Sequence, residues 1–176
     1  NFIKQLEESM NDNNGATIMV YPVSDPQNYG IVEFDSKYNI KSLQEKPTTF
    51  ISQYAITGLY FYDESVIDKA RQVRPSNRGE LEITDLNKLY LMENKLKANI
   101  ISRGFTWLDT GSIDSLHDAT SYVRTLETRQ GLKIGCPEEI AWRKGWIDDK
   151  QLEYLAFNLL ESGYGEYLLK LLNISN

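Results

Sequence analysis

The chain has 176 residues, of which 41% are hydrophobic and 25% are charged, and its formal net charge is −6. This composition is ordinary for a folded globular domain, and the acidic balance argues against a nucleic-acid-binding protein, which needs clustered Lys and Arg. The single cysteine, Cys136, excludes an internal disulfide and fits a reducing compartment, and no apolar run reaches the roughly 20 residues that a membrane-spanning helix needs.

The amino-terminal third predicts one helix followed by a set of strands. Apolar residues at helical spacing predict a helix over residues 2–10. Short runs rich in β-forming residues predict strands over residues 16–23, 30–35, 40–46 and 54–62. The middle two strands are joined by Ser36-Lys37-Tyr38-Asn39, which is typical of a hairpin turn. Because hairpin strands pair antiparallel, the sheet cannot be purely parallel.

The middle of the chain alternates between helices and one more strand. Apolar spacing that starts at Val66 predicts a helix ended by Pro75. A helix over 84–95 and a strand over 98–102 follow, and a further helix with one apolar face begins near Ile113. Together with the earlier strands, these elements predict an α/β core with a mixed sheet.

The carboxy-terminal segment, residues 132–173, predicts a helical tail. Cys136-Pro137-Glu138-Glu139 is typical of a helix start, because Pro suits the first position and acids suit the positive end of the helix dipole. Asp148, followed three residues later by a Gln, predicts a capping box. Gly163 and Gly165 predict a break before the last helix.

Two segments at predicted strand ends could contact a ligand. Gly30, at the head of a strand, would let a ligand approach the backbone closely, although a plain turn glycine is the commoner reason for such a pattern. Glu45 and Lys46 place a carboxylate and a cation at the rim of the sheet, where α/β proteins bind ligands. Glu can accept from sugar hydroxyls and Lys can neutralise a phosphate, but two solvated residues would show the same pattern.

Two further segments lie just before predicted helices. Arg78, followed by Gly79, could hold a phosphate through its charge and nearby backbone amides, while the following acids cap the helix and orient the Arg. Asp109, two residues after Trp107, could bind a hard divalent cation while the indole ring covers a sugar face. Alternatively, Asp109 caps the helix that begins near Ser112.

In this order and spacing, these segments resemble the glucose-1-phosphate thymidylyltransferases of deoxysugar biosynthesis. The strings that carry the resemblance are Tyr29-Gly30-Ile31-Val32-Glu33-Phe34-Asp35, Glu45-Lys46-Pro47, Tyr54-Ala55-Ile56-Thr57-Gly58-Leu59-Tyr60-Phe61-Tyr62-Asp63, Arg78-Gly79-Glu80-Leu81-Glu82-Ile83-Thr84-Asp85, Trp107-Leu108-Asp109-Thr110-Gly111, Arg129-Gln130-Gly131-Leu132-Lys133 and Cys136-Pro137-Glu138-Glu139-Ile140-Ala141. The resemblance covers nearly the whole chain. It implies the carboxy-terminal part of a nucleotide-diphospho-sugar transferase, with a Rossmann-like mixed sheet and a helical tail.

The resemblance also implies a reaction and a setting. Glucose 1-phosphate would attack the α-phosphorus of dTTP with the help of Mg²⁺, giving dTDP-glucose and pyrophosphate for dTDP-rhamnose or deoxysugar biosynthesis. Residues 1–131 would form the sugar-phosphate-binding part of the core, and residues 132–176 an oligomerisation and regulatory tail. The parent enzyme would be a cytoplasmic homotetramer that binds neither nucleic acid nor membranes.

Motif matching assigns the sugar contacts as an implication of the resemblance. Glucose would be held by the Gly30 amide, the Glu45 carboxylate and the backbone at Ile56. Tyr29 would lie beside the sugar, and Trp107 would form a wall of the pocket.

The same matching assigns the charged contacts. Lys46 and Arg78 would meet the sugar phosphate, and Asp109 would be one of two Mg²⁺ carboxylates. A second, regulatory nucleotide site between subunits would involve three residues of the tail, Glu139, Ile140 and Arg143.

The sequence departs from the family pattern in one respect. The family begins with a Gly-rich Leu-Ala-Gly-Gly-x-Gly-Thr-Arg loop that holds the triphosphate, and a second Mg²⁺ aspartate also precedes the matched segments; neither is in this sequence. The chain opens without Met in what looks like the middle of a helix. We therefore expect a carboxy-terminal fragment that by itself binds dTTP poorly and turns over negligibly.

Three alternatives stay open on the sequence alone. A sister enzyme could use UTP or CTP, because base-reading residues would lie in the absent segment. The chain could also be a non-catalytic sugar-phosphate-binding module. An unrelated α/β domain with accidental matches predicts that Glu45, Lys46, Arg78 and Asp109 are scattered.

Overall fold

The computed structural model describes residues 2–12 and 14–174. The chain divides into two compact units, Asn1–Trp107 and Leu108–Asn176. The first unit contains α1 (Phe2–Asn11), β1 (Ala16–Pro22), β2 (Gly30–Phe34), β3 (Ile40–Glu45), β4 (Tyr54–Tyr62), α2 (Val66–Ala70), α3 (Ile83–Met92) and β5 (Leu96–Ile100). The second contains α4 (Ile113–Gln130), α5 (Pro137–Arg143), α6 (Asp149–Phe157) and α7 (Tyr164–Ile174). In the part of the chain that the structure describes, no helix is long and apolar enough to cross a bilayer.

A mixed five-stranded sheet forms the first unit, in the order β3-β2-β4-β1-β5. β5 runs parallel to β1, and the remaining neighbours pair antiparallel. Strand side chains alternate between the two faces of the sheet, and both faces carry buried apolar residues. One face carries a cluster formed by Ile18, Val20, Val32, Leu43 and Ile56. On the other face, Met19 and Ile31 are also buried. The predicted α/β mixed sheet is confirmed.

Helix α3 covers part of the sheet and brings polar as well as apolar side chains under it. Leu86 and Tyr90 pack against Ala16 of β1, and the Tyr90 ring stacks on Tyr62 of β4 at 5.5 Å between ring centroids. Thr84, in the first turn of the same helix, is only 1% exposed. The helix therefore carries a hydroxyl into the interior at its first turn, beside the end of β3.

The second unit contains a small helical core. Residues from α5, α6 and α7 surround it, and the fully buried members are Leu152, Ala156 and Leu168. The predicted helix starts are correct, since Pro137 occupies the first turn of α5 and Asp148 forms a capping box at α6. Gly163 does break the chain before α7, with a φ of 73°.

Gly165 has a different role from the predicted one. It lies in the first turn of α7 rather than in a break. A Cβ atom added there would lie 2.1 Å from the carbonyl oxygen of Ala156. Glycine is needed at this position because α7 approaches the end of α6 so closely that no side chain fits.

Several boundaries differ from the predicted ones for local reasons. Helix α3 ends at Met92, and Asn94 then adopts a left-handed φ of 57°, which stops the helix before residue 95. The following strand consequently starts at Leu96, two residues before the predicted position. The apolar face predicted for α4 is largely exposed, with Ile113 87% accessible and Ala119 buried.

Candidate functional site

The ends of β2 and β3 form the centre of the candidate site, because Gly30 and Glu45 are directly paired there. A Cβ atom added to Gly30 would lie 2.7 Å from Thr84 Oγ1, 2.9 Å from Glu45 Oε2 and 3.5 Å from Ile56 Cδ1. Three predicted sugar-site residues, Gly30, Glu45 and Ile56, therefore lie together, and Thr84 joins them. Because Gly30 has no side chain, the Thr84 hydroxyl and the Glu45 carboxylate can both approach the backbone of this strand end closely.

The Glu45 carboxylate is held at a fixed position. The Thr84 hydroxyl donates a 2.5 Å hydrogen bond to Glu45 Oε2. Glu45 Oε1 lies 3.9 Å from Arg78 Nη1, and the Glu45 side chain is 20% exposed. Burial raises the pKa of Tyr60, and the negative charge of Glu45 adds to that shift. Glu45 therefore has one oxygen fixed by Thr84 and another available to donors.

Lys46 has an unusual backbone conformation. Its φ is 40°, in the left-handed region that side chains other than Gly, Asn and Asp rarely adopt, and its N–H donates to the Tyr29 carbonyl at 3.0 Å. The side chain is exposed and forms no ion pair with any described residue. A strained lysine whose cation is unengaged is typical of a ligand-binding position.

Arg78 is surrounded by carboxylates. Its guanidinium lies 2.9 Å from Glu80, 3.4 Å from Glu82 and 3.9 Å from Glu45. The Glu82 side chain is 10% exposed and also accepts from Ser76 Oγ at 2.9 Å. The predicted orienting role of the acids agrees with this geometry, whereas the predicted capping role does not: Glu82 occupies the N-cap position of α3 without a side-chain capping bond.

Aromatic side chains lie beside these charged groups. The rings of Tyr29 and Trp107 meet edge to face with centroids 5.1 Å apart, and Trp107 also lies 6.2 Å from Tyr21. Trp107 Nε1 donates to the carbonyl oxygen of Thr57 on β4 at 3.1 Å. Because Tyr29 immediately precedes Gly30, this aromatic pair borders the same strand end. Such rings offer apolar surface that suits the face of a hexose.

The predicted metal ligand, Asp109, belongs to the second unit. Its Oδ2 accepts the Gly111 N–H at 3.0 Å, while its Oδ1 accepts no hydrogen bond from the described residues. It does not cap α4, because Ser112 does so through a capping box with Ser115. The described residues contain no group of three or more His, Cys, Asp or Glu side chains that could hold a metal. The proximity of Asp109 to Glu45 stays a prediction.

Of the three predicted regulatory residues, two contact one another. The Arg143 Nε donates to Glu139 Oε1 at 2.7 Å, and the Tyr167 hydroxyl donates to the other carboxylate oxygen. Burial favours a higher pKa for Glu139, but the hydrogen bonds from Tyr167 and Arg143 outweigh it and lower the pKa below its ordinary value. Ile140 is 52% exposed. A charged, partly buried carboxylate is therefore stable here.

Thr84 belongs to the candidate site, although the sequence motifs did not predict a functional role for it. It lies inside the quoted string from Arg78 to Asp85, but its role depends on a contact with Glu45, 39 residues earlier. The available signal was a hydroxyl-bearing residue in the first turn of a helix. By itself that signal is also typical of ordinary helix starts.

The comparisons with known proteins agree with the motifs. Residues 1–125 match the nucleotidyl transferase family. The chain is 56% identical over 159 residues to the glucose-1-phosphate thymidylyltransferase of Mycolicibacterium smegmatis, covering 90% of the chain and 55% of the relative. It is 47% identical over 171 residues to that of Neisseria meningitidis, covering 97% of the chain and 59% of the relative. It thus spans a little over half the length of these relatives.

A solved structure supports the same fold. It is a Bacillus anthracis protein assigned as a glucose-1-phosphate thymidylyltransferase and crystallised with sucrose, and it aligns with a TM-score of 0.61 and 37% identity. The alignment covers 69% of this chain and 48% of that one. The resemblance inferred from the motifs is confirmed, and the chain belongs to the nucleotidyl transferase family.

Proposed function

We propose that this chain supplies the sugar-1-phosphate-binding part of a glucose-1-phosphate thymidylyltransferase, which forms dTDP-glucose and pyrophosphate from dTTP and glucose 1-phosphate. The observation that carries the proposal is the grouping at one strand edge of Gly30, Glu45 and Arg78, next to the unengaged cation of Lys46. The identity to thymidylyltransferases over 90% of the chain supports the choice of reaction.

The hexose would be bound by the Glu45 carboxylate, by the backbone at Gly30 and by the aromatic side chains of Tyr29 and Trp107. Glu45 can accept two hydroxyl hydrogen bonds, since Thr84 fills only part of its acceptor capacity. Gly30 would offer its backbone amide to the sugar, and its lack of a side chain lets the Glu45 carboxylate lie against the same strand end. The Tyr29 and Trp107 rings would cover an apolar face of the sugar.

The phosphate of the sugar would be held by two cations of different kinds. Lys46 presents a point charge, and Arg78 presents a planar fork suited to phosphate oxygens. In this reaction the protein forms no covalent bond; it holds the attacking phosphate oxygen in line with the α-phosphorus and stabilises the developing charge. Lys46 and Arg78 are therefore the residues of this chain to which we assign the catalytic contribution.

The family commonly uses Mg²⁺. Asp109 fits the role of a single ligand, because its carboxylate is exposed and one oxygen accepts no hydrogen bond from the described residues. Mg²⁺ typically binds through one or two carboxylates together with waters and substrate phosphates. When bound, the ion would offset negative charge on the reacting phosphates.

The assembly and biological setting are also part of the proposal. We assign residues 132–176 to oligomerisation, with the parent a cytoplasmic homotetramer serving dTDP-rhamnose or deoxysugar biosynthesis. Glu139, Ile140 and Arg143 would contribute to a regulatory nucleotide site between subunits. The Glu139–Arg143 pair supports this assignment by presenting a fixed charged surface on α5.

Binding of the sugar phosphate can be tested on the chain itself. Calorimetric titration should detect glucose 1-phosphate, with weaker binding of glucose or inorganic phosphate alone. Glu45→Gln and Lys46→Ala should each weaken binding by about tenfold or more, whereas the control Lys37→Ala, at the far end of the β2–β3 hairpin, should leave it unchanged. Equal effects of Lys37→Ala and Lys46→Ala would contradict the proposed site.

The reaction can be tested in a chimera. The chain would replace the matching part of the Mycolicibacterium smegmatis relative, with which it shares 56% identity. Formation of dTDP-glucose from dTTP, measured by pyrophosphate release, should be restored and should exceed turnover with UTP or CTP. A folded chimera that binds glucose 1-phosphate without any turnover would favour a non-catalytic sugar-phosphate module.

A further inference from the structure

The second unit contains a cavity that the proposed reaction does not use. It has a volume of about 330 Å³ and is lined by residues of α4, of the loop after α4 and of α7. This volume is near the lower end of the range of ligand pockets, roughly 300–1,000 Å³. We propose that this cavity binds a small phosphorylated anion, at a site separate from the sugar-phosphate residues of the first unit.

The charges around the cavity favour an anion. Among the lining residues that the structure describes there are three cations, Arg124, Lys133 and Lys170, and one carboxylate, Glu127. Lys133 donates to Glu127 Oε2 at 2.7 Å, and the Ile134 N–H donates to Oε1 at 3.0 Å. Both oxygens of Glu127, the only carboxylate among the described lining residues, are thus engaged, and the hydrogen bond from Lys133 lowers its pKa, which keeps that ion pair formed.

Arg124 and Lys170 are left without a carboxylate partner among the described residues. They approach the cavity from two different helices, α4 and α7. The chain as a whole has a formal net charge of −6, whereas these two cations give the surface of the cavity a positive charge. Together they match the charge of a phosphate dianion.

The remaining lining groups fit a compact polar ligand. Thr128 lies one turn after Arg124 on the same face of α4 and brings a hydroxyl. Gly131 and Gly163 border the cavity, and nothing lies within 4 Å of the position that a Cβ atom would occupy at either one. The ring of Tyr167 is buried and forms a wall of the cavity. Its hydroxyl donates to Glu139, which is paired with Arg143, so this hydroxyl is already engaged outside the cavity.

An NMR titration of the whole chain tests the proposal without any variant. At fixed ionic strength, inorganic phosphate, pyrophosphate and glucose 1-phosphate are added in separate series. We expect saturable shifts of the Thr128, Gly131 and Gly163 amides with at least one of them, and the order of affinities identifies the preferred ligand. Shifts confined to the first unit, or linear drift without saturation in the second, would overturn the proposal.

Charge-removal variants give a second, independent test. The double variant Arg124→Ala/Lys170→Ala should weaken binding at these amides by about tenfold or more, because it removes two charge-assisted contacts. Lys150→Ala, which removes an exposed cation of α6 outside the cavity, is the matched control. Equal loss in both variants would show non-specific attraction and overturn the proposal. Since Lys46 and Arg78 are intact in each variant, failure here leaves the proposed function unaffected.

Discussion

A methyl group at Gly30 would collide with the two polar groups that define the candidate sugar site. The added Cβ atom would lie 2.7 Å from Thr84 Oγ1 and 2.9 Å from Glu45 Oε2. The φ of Gly30 lies outside the left-handed region, so alanine can adopt the backbone without strain. Gly30→Ala therefore tests crowding alone.

The size of the effect follows from how little the neighbours can move. Thr84 is 1% exposed, so its hydroxyl cannot swing into solvent, and its bond to Glu45 must lengthen or break. Overpacking of this kind typically costs about 1–3 kcal/mol, and a hydrogen bond to a charged group is worth about 1.5–3 kcal/mol. We expect an unfolding free energy lower by ~1–3 kcal/mol and glucose 1-phosphate binding weaker by at least ~10-fold.

Urea unfolding and calorimetric titration of the same samples measure the two effects. Gly58→Ala on β4 is the matched control, because nothing lies within 4 Å of its added methyl and only its left-handed φ of 85° is strained. It should lose stability but keep its affinity. In a Thr84→Ala background, the Gly30→Ala penalty in stability should shrink, since the nearer contact is gone. Wild-type affinity in Gly30→Ala would refute the assignment of Gly30 to the sugar site.

Three further outcomes follow from the described contacts. Lys46→Gly should leave the unfolding free energy unchanged or raise it by up to ~1 kcal/mol, because glycine adopts the left-handed backbone conformation without strain. The same variant should bind glucose 1-phosphate more weakly. A loss of both stability in urea unfolding and affinity in calorimetry would contradict this prediction. Glu80→Gln should strengthen that binding by up to ~3-fold, because Glu80 competes with phosphate for Arg78, and weaker binding in the same titration would show that it assists instead. The pKa of Glu139 in the folded state is lowered, because the hydrogen bonds from Tyr167 and Arg143 outweigh the effect of burial. The stability that Glu139 contributes is therefore present above its ordinary pKa near 4.5 and is lost as the pH falls through its folded-state pKa. Urea midpoints measured from about pH 6 to about pH 3 should fall less steeply in Tyr167→Phe, and an unchanged slope would contradict the assignment.

The strand-end residues were predictable because their signals are local. The hairpin signature predicts that β2 and β3 pair antiparallel, which brings the start of β2 close to the end of β3, where Gly30 and Glu45 are paired. The exact register also depends on an irregularity between Glu33 and Phe34, which the sequence pattern does not show. The position of Thr84 could not be read in this way. Its contact with Glu45 depends on how α3 packs against the sheet, which is a tertiary property that spacing along the chain does not encode.

The two glycines near the start of α7 show a similar limit to what the sequence alone can predict. Gly163 and Gly165 carry the same sequence signal of a helix break, yet only the first has a left-handed φ. Gly165 is helical and is required by the approach of the Ala156 carbonyl, which belongs to a different helix. A sequence pattern reports that a side chain is absent, but it does not distinguish backbone freedom from close packing.

The two halves of the candidate site differ in how much they must change when a ligand binds. Glu45 is preorganised for the sugar, because a buried hydroxyl fixes it in advance. Arg78 is not preorganised for the phosphate, since its guanidinium is already paired with two neighbouring acids. The Glu80 partner is 60% exposed, so exchanging it for a phosphate costs little, whereas Glu82, at 10% exposure, can stay in place and keep aiming the guanidinium. Sugar recognition should therefore depend on fixed geometry, and phosphate recognition on an exchange of ion pairs at the surface.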